Sequence, residues 1–329
     1  MYAPVVAQEA PRVSAVQKAV QQQPSVLPFI EANTRDVDLQ HLTDDCIIPV
    51  FSKDNEVTIS HQSFIEAVHD AAKAAFPYEA VTDASIRVSH VVKGRIPEAI
   101  HKPVSQLLES DKTIYYERMM FCFEIPSIYQ TIDGCRLNLT IGGVRAYNEQ
   151  NLYAKKSPEK FKIFIGFKNL VCCNLCVSTD GYKASLRVMD IESILSSAQQ
   201  LFQSYDMERH LALLSAYQSL GMSESQFAQF LGKCRLYQFL PKSERQGIPL
   251  LQMTDTQFSL VAKAYYDDPD FGKGNARSIS MWKFYNILTG ANKSSYIDNF
   301  LDRAENAGTL TTGICRALHG DAEYGWFLE

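Results

Sequence analysis

Along this 329-residue chain the spacing of apolar residues changes once, near Met189. Before that point apolar and polar residues tend to alternate, the period of a strand whose side chains point to opposite faces. Segments 46–51, 56–60, 85–92, 113–125, 136–141 and 161–167 read this way, and most are rich in β-branched and aromatic residues. Ser52, Lys53, Asp54 and Asn55 lie between the first two segments and predict a hairpin. A helix interrupts the strands over 63–75, with Phe64, Val68 and Ala71 on one face.

After Met189 the period is 3.6. Ile191, Ile194, Leu195, Ala198, Leu201 and Phe202 form one face of a helix that Asp190 can cap. Ser223 with Gln226, and Thr254 with Gln257, are capping-box pairs ahead of further helices. Two more helices are predicted over 280–288 and 296–306. Strands first and helices second predict an α+β fold, a mostly antiparallel sheet region with a few helices followed by a helical region. The expected organisation is a tail over 1–25, a strand-rich domain over 26–188, and a helical subdomain over 189–329 packed on it.

Composition adds limits. Hydrophobic residues make up 46% and charged residues 21%, enough apolar mass for a real core. There is no basic segment leading into an apolar run at the start, and no apolar stretch of membrane-spanning length. The expected location is therefore cytoplasmic, with the eight cysteines as thiols. No phosphate-binding loop or zinc-protease motif occurs, and no cofactor is predicted.

Three cysteines crowd into "VCCNLC" at 171–176. A structural zinc site needs a second short-spaced ligand pair, and none lies nearby in sequence. On a strand Cys173 and Cys176 point to opposite faces and cannot share a metal. A core strand is the expectation, with no metal site; a reactive thiol would need a histidine partner brought from elsewhere.

Charge is distributed unevenly. The chain has a net charge of −5, yet 145–168 carries six basic residues against two glutamates, a local +4. Within it Phe161, Ile163, Ile165 and Phe167 read as core, while Lys162, Phe164, Gly166 and Lys168 line the other face. Lysines around an aromatic ring can hold phosphates while a base stacks. Arg145, Lys155, Lys156, Lys162, Phe164 and Lys168 are the candidate contacts, and single-stranded DNA or RNA is the partner this reading names. A solvated strand, or a ring covered by a neighbouring helix, fits the same pattern. Segment 211–240 has a helix-turn-helix flavour, with its recognition helix required to begin near Lys233. Asp267, Asp268 and Asp270 flank Pro269 and either break a helix or hold a hard cation.

Segment 142–181, with Val171, Cys172, Cys173 and Asn174, resembles a family of unknown function numbered 3871. That family, found on mobile elements, is similar to a broader group of phage- and plasmid-like proteins of unknown function. The group's late N-x-x-T helix corresponds here to Asn286 through Thr289. Where the group tends to have glycine after the first motif, this chain has Leu175. The resemblance implies a mobile-element context and assigns no chemistry; Asn174, Asn286 and Thr289 are its polar motif residues. Three readings follow. The chain binds nucleic acid through the basic strand. Or it is an enzyme with a cleft between its halves, using Cys172, Asn174, His210, Asn286 and the Asp267–Asp270 acids. Or it is an interaction module without catalysis.

Overall fold

The computed structural model describes residues 27–44, 59–95, 97–99, 101–146, 149 and 158–329. The hairpin predicted over 46–60 lies almost wholly outside them, as do Lys155 and Lys156. The fold is α+β. Its main sheet has six strands in the order β1 (Thr34–Val37), β2 (Ser85–Ser89), β5 (Met119–Ile132), β6 (Cys135–Arg145), β7 (Glu159–Asn169) and β8 (Leu175–Val188). Every neighbouring pair is antiparallel. The strand expected over 113–125 is two: β4 (Lys112–Tyr116) pairs with β3 (Val92–Arg95) in a separate ribbon, and β5 starts after it.

Helix α1 (Leu39–Asp44) is short, and α2 (His61–Ala75) packs on one face of the sheet. The Phe64 ring meets Phe121 edge-on at 5.2 Å and lies 4.6 Å from Phe161. Beyond the sheet come α3 (Ile191–Ser204), α4 (Met207–Ala216), α5 (Glu224–Phe239), α6 (Asp255–Asp267), α7 (Met281–Asn292) and α8 (Ile297–Ala317). The predicted caps are in place. Asp190 accepts from the Ser193 amide, and both capping boxes are complete. Helix α5 runs unbroken through Lys233, so no recognition helix begins there and the helix-turn-helix reading is corrected. Its start is fixed instead by a short ladder between β9 (Gly221–Ser223) and β10 (Ser278–Ser280).

The sheet's other face is covered too. Ile297, Phe300, Leu301 and Ala304 of α8 pack with Met120, Cys122, Val144 and Phe164 in a second apolar cluster. This corrects the expectation of an exposed basic and aromatic face on β7. The Phe164 ring is fully buried, over Gly142, where any added Cβ would lie 2.7 Å from it. Lys162 is buried, its Nζ 2.9 Å from both Asp302 and Glu149 and donating to the Asp298 carbonyl. Burial alone would lower its pKa, but the hydrogen bonds it donates to Asp302 and Glu149 carry it above the ordinary lysine value. Lys168 is buried against Glu124, and Arg145 is buried against Glu159 with its guanidinium 4.5 Å from the Phe161 ring centre. Phosphate binding and base stacking need these groups in solvent; here acids and α8 occupy them.

The strand expected through the cysteine segment is also corrected. Residues 170–172 form a turn and Cys173 has φ +57°, a left-handed conformation that ends any strand alternation through 171–176. Strand β8 begins only at Leu175.

Truncating the ring, Phe164→Ala, leaves a cavity under α8. Urea unfolding is expected to show a loss of about 3–5 kcal/mol. A solvent-facing ring would change stability by no more than about 0.5 kcal/mol.

Candidate ligand cleft

Between the start of β8, helix α4 and helix α8 lies a cavity of about 530 Å³. Each wall has a local cause. Asp206 caps α4 by accepting from the Arg209 amide at 2.9 Å, which turns Arg209 and His210 toward β8 at the first turn of the helix. Gly308 lets α8 approach the strand closely: a Cβ there would stand 3.2 Å from the Val177 carbonyl oxygen. Tyr217 lines the cavity and is tied to α8 by a 2.7 Å contact between its hydroxyl and that of Thr312. Tyr285 of α7 adds a second ring, 5.6 Å from that of Tyr217.

His210 is the distinctive polar group. It is buried, with Nδ1 2.6 Å from the Tyr205 hydroxyl and the Phe167 ring edge-on at 5.7 Å. Burial pushes its pKa down to about 4, opposed only in part by Asp180, so the ring is neutral at pH 7. Burial also raises the Tyr205 phenol, which stays protonated. When that hydroxyl donates to Nδ1, the proton of the imidazole sits on Nε2. Among the described residues Nε2 has no hydrogen-bond partner. Arg209 is exposed at the cleft and has no carboxylate partner among the described residues, whereas Arg316 across the cleft is 2.8 Å from Glu323. The arrangement offers an unpaired cation, a neutral ring nitrogen and an aromatic lining.

The motif residues gather elsewhere. The turn after β7 is closed by Asn169, whose carbonyl accepts from the Cys173 amide at 2.7 Å and whose Oδ1 accepts from the Val171 amide at 2.9 Å. Asn169 then donates to Asn286 Oδ1 at 3.0 Å, and Asn174 donates to the Asn286 carbonyl at 2.9 Å. The Cys172 thiol points to the same Asn286 oxygen at 3.8 Å. Thr289 bonds back to the carbonyls of Tyr285 and Asn286 within α7, at 3.0 and 3.2 Å. Two motifs separated by more than a hundred residues thus meet at one residue, Asn286. Cys172, Asn174, Asn286 and the Asp267–Asp270 acids border one groove; His210 borders the cleft described above instead. Asn169 escaped the sequence reading. Its signal was its place at the end of an alternating strand, immediately before the cysteine turn.

None of this favours thiol chemistry. Burial pushes Cys172 up to about 12 and raises Cys176 as well. Among the described residues no group of three His, Cys, Asp or Glu side chains is placed to hold a metal ion.

The buried histidine has a pH signature. Unfolded, the imidazole takes up its proton near the ordinary 6.5; folded, only near 4. Between these values the unfolded state binds more protons, so stability falls as pH drops from about 6.5 to 4, by up to about 3 kcal/mol. The variant His210→Asn is expected to flatten that decline in urea titrations at pH 7, 5.5 and 4.5. A slope equal to that of the native chain contradicts the assignment. His61, which burial pushes down to about 3, adds its own slope to both proteins.

Comparison with known protein families gives a match. The family model described as "Domain of unknown function, B. Theta Gene description (DUF3871)" matches residues 9–328. No curated protein and no solved structure matches the chain. With the match spanning nearly its whole length, the chain belongs to this family of unknown function.

Proposed function

We propose that the chain binds a small organic anion in the cleft between β8, α4 and α8. The observation that carries this reading is the unpaired Arg209 guanidinium beside the neutral His210. A carboxylate or phosphate group would take charge-assisted hydrogen bonds from Arg209, and His210 Nε2–H would donate a further one. Leu213, Leu214 and Tyr217 would cover the apolar body of the ligand, and a volume of about 530 Å³ suits a metabolite-sized molecule. Burial holds the nearby Cys176 thiol far from ionisation, so this reading gives it no part as a nucleophile. With His210 neutral, affinity for a carboxylate should change little between pH 6 and 8.

Isothermal titration with aromatic and aliphatic carboxylates and phosphate esters, each beside its neutral isostere, tests it. Anions are expected to bind at least about tenfold more tightly than their isosteres, and Arg209→Ala to remove most of that difference, as for a hydrogen bond to a charged group. Equal binding of acid and isostere contradicts the reading. So does tight binding of an oligothymidylate that Arg209→Ala leaves unchanged.

A further inference from the structure

The cleft between β8, α4 and α8 carries two opposite charges, and one residue anchors both. The Asp206 amide donates to Asp180 Oδ2 at 3.2 Å, and the Asp206 side chain accepts from the Arg209 amide at 2.9 Å. Asp180 of β8 and Arg209 of α4 are thereby tied to the same residue, and both line the cavity. The strand is shaped to allow this. Phe164 pairs with Tyr182 and Gly166 with Val177, so residues 178–181 of β8 stand against Ile165 alone. The bulge carries 178–180 out of the ladder and into the cavity wall, where the Thr179 hydroxyl meets Glu305 of α8 at 2.6 Å. Glycine is required at 181, because a Cβ there would collide with the Ile165 carbonyl oxygen.

The other charges around the cleft are engaged. Arg316 pairs with Glu323 and Asp321. Glu305 accepts from the hydroxyls of Thr179 and Thr309 at 2.6 and 2.8 Å, and Asp206 caps α4. Asp180 and Arg209 are exposed and have neither each other nor another ion as partner among the described residues. A bare carboxylate would be drawn by Arg209 and repelled by Asp180, and a bare amine would meet the reverse. A ligand with both charges takes a charge-assisted hydrogen bond at each end.

His210 supplies a donor that such a ligand can reach. Its ring is buried, but Nε2 is not among the polar side-chain atoms that are both unpartnered and sealed from solvent. Since Nε2 has no hydrogen-bond partner among the described residues and the ring lines the cavity, this nitrogen opens into the cleft. We infer that the ligand of the cleft is a free amino acid with an apolar side chain, its carboxylate held by Arg209 and His210 Nε2, its ammonium group by Asp180, and its side chain by Leu213, Leu214 and Tyr217. The inference rests on the anion-binding reading above and narrows it to a zwitterion.

Calorimetry on the full chain tests it with L-phenylalanine and L-leucine. Each is titrated beside the acid that lacks the amine, 3-phenylpropanoate or 4-methylpentanoate, and beside its own carboxamide. The amino acids are expected to bind at least about tenfold more tightly than either relative, as for a hydrogen bond to a charged group. Asp180→Asn keeps an oxygen for the Asp206 amide. It is expected to bring the amino acids down to the affinity of the amine-free acids and to leave those acids unchanged or tighter. Amine-free acids that match the amino acids, or an Asp180→Asn variant that keeps the preference, overturn the inference and leave the anion-binding reading standing. Carboxamides that match the amino acids, or absent binding of every carboxylate, overturn both.

Discussion

Helix α8 is anchored to the sheet through one buried polar contact. The Lys162 ammonium sits between Asp302 and Glu149, and Tyr182 donates to the second oxygen of Asp302 at 2.6 Å. A buried ion pair contributes little net stability, because desolvation offsets most of the attraction. Its consequence is specificity: any other register of α8 would leave Lys162 buried without Asp302. The energy comes from the apolar cluster around it, where Phe164, Phe300 and Leu301 leave water together. With α8 fixed, Gly308 and Thr312 fall opposite β8 and close the ligand cleft. The short link from α7 into α8 then holds α7 so that Asn286 reaches the turn after β7.

Helix α7 therefore serves two cavities with adjacent residues. Tyr285 lines the cleft and Asn286 borders the groove, as expected for side chains about 100° apart around a helix. Both cavities mix charges: Asp180 shares the cleft with Arg209, and Lys263 and Lys293 share the groove with Asp267, Asp268 and Asp270.

The helices were legible because their ends carry side-chain caps and their faces carry a single period. Asp190, Ser223 and Thr254 start α3, α5 and α6 where the sequence placed them. The strands were legible as strands, but their environment was not. Lys162, Phe164 and Lys168 alternate in the same way whether that face meets water or acids, and the deciding partner, Asp302, lies 140 residues away. The left-handed Cys173 has no composition signal, since a cysteine at positive φ looks like any other cysteine in a string of letters. For the same reason the motif residues were recognised and their meeting was not. Asn174 and Asn286 are joined by the docking of α7 on the sheet, which no local pattern encodes. His210 was a candidate from its residue type alone; its neutrality comes from burial, against Phe167 of β7 and Tyr205 at the end of α3.

The central claim is that both faces of β7 are covered and that Lys162 and Lys168 are internal. Native-state amine acetylation followed by mass spectrometry tests it directly. Lys162, Lys168 and Lys293 should be modified only under unfolding conditions, while exposed Lys73, Lys242 and Lys263 react at the rate of free lysine. Modification of Lys162 and Lys168 at the rate of those exposed amines would contradict the account.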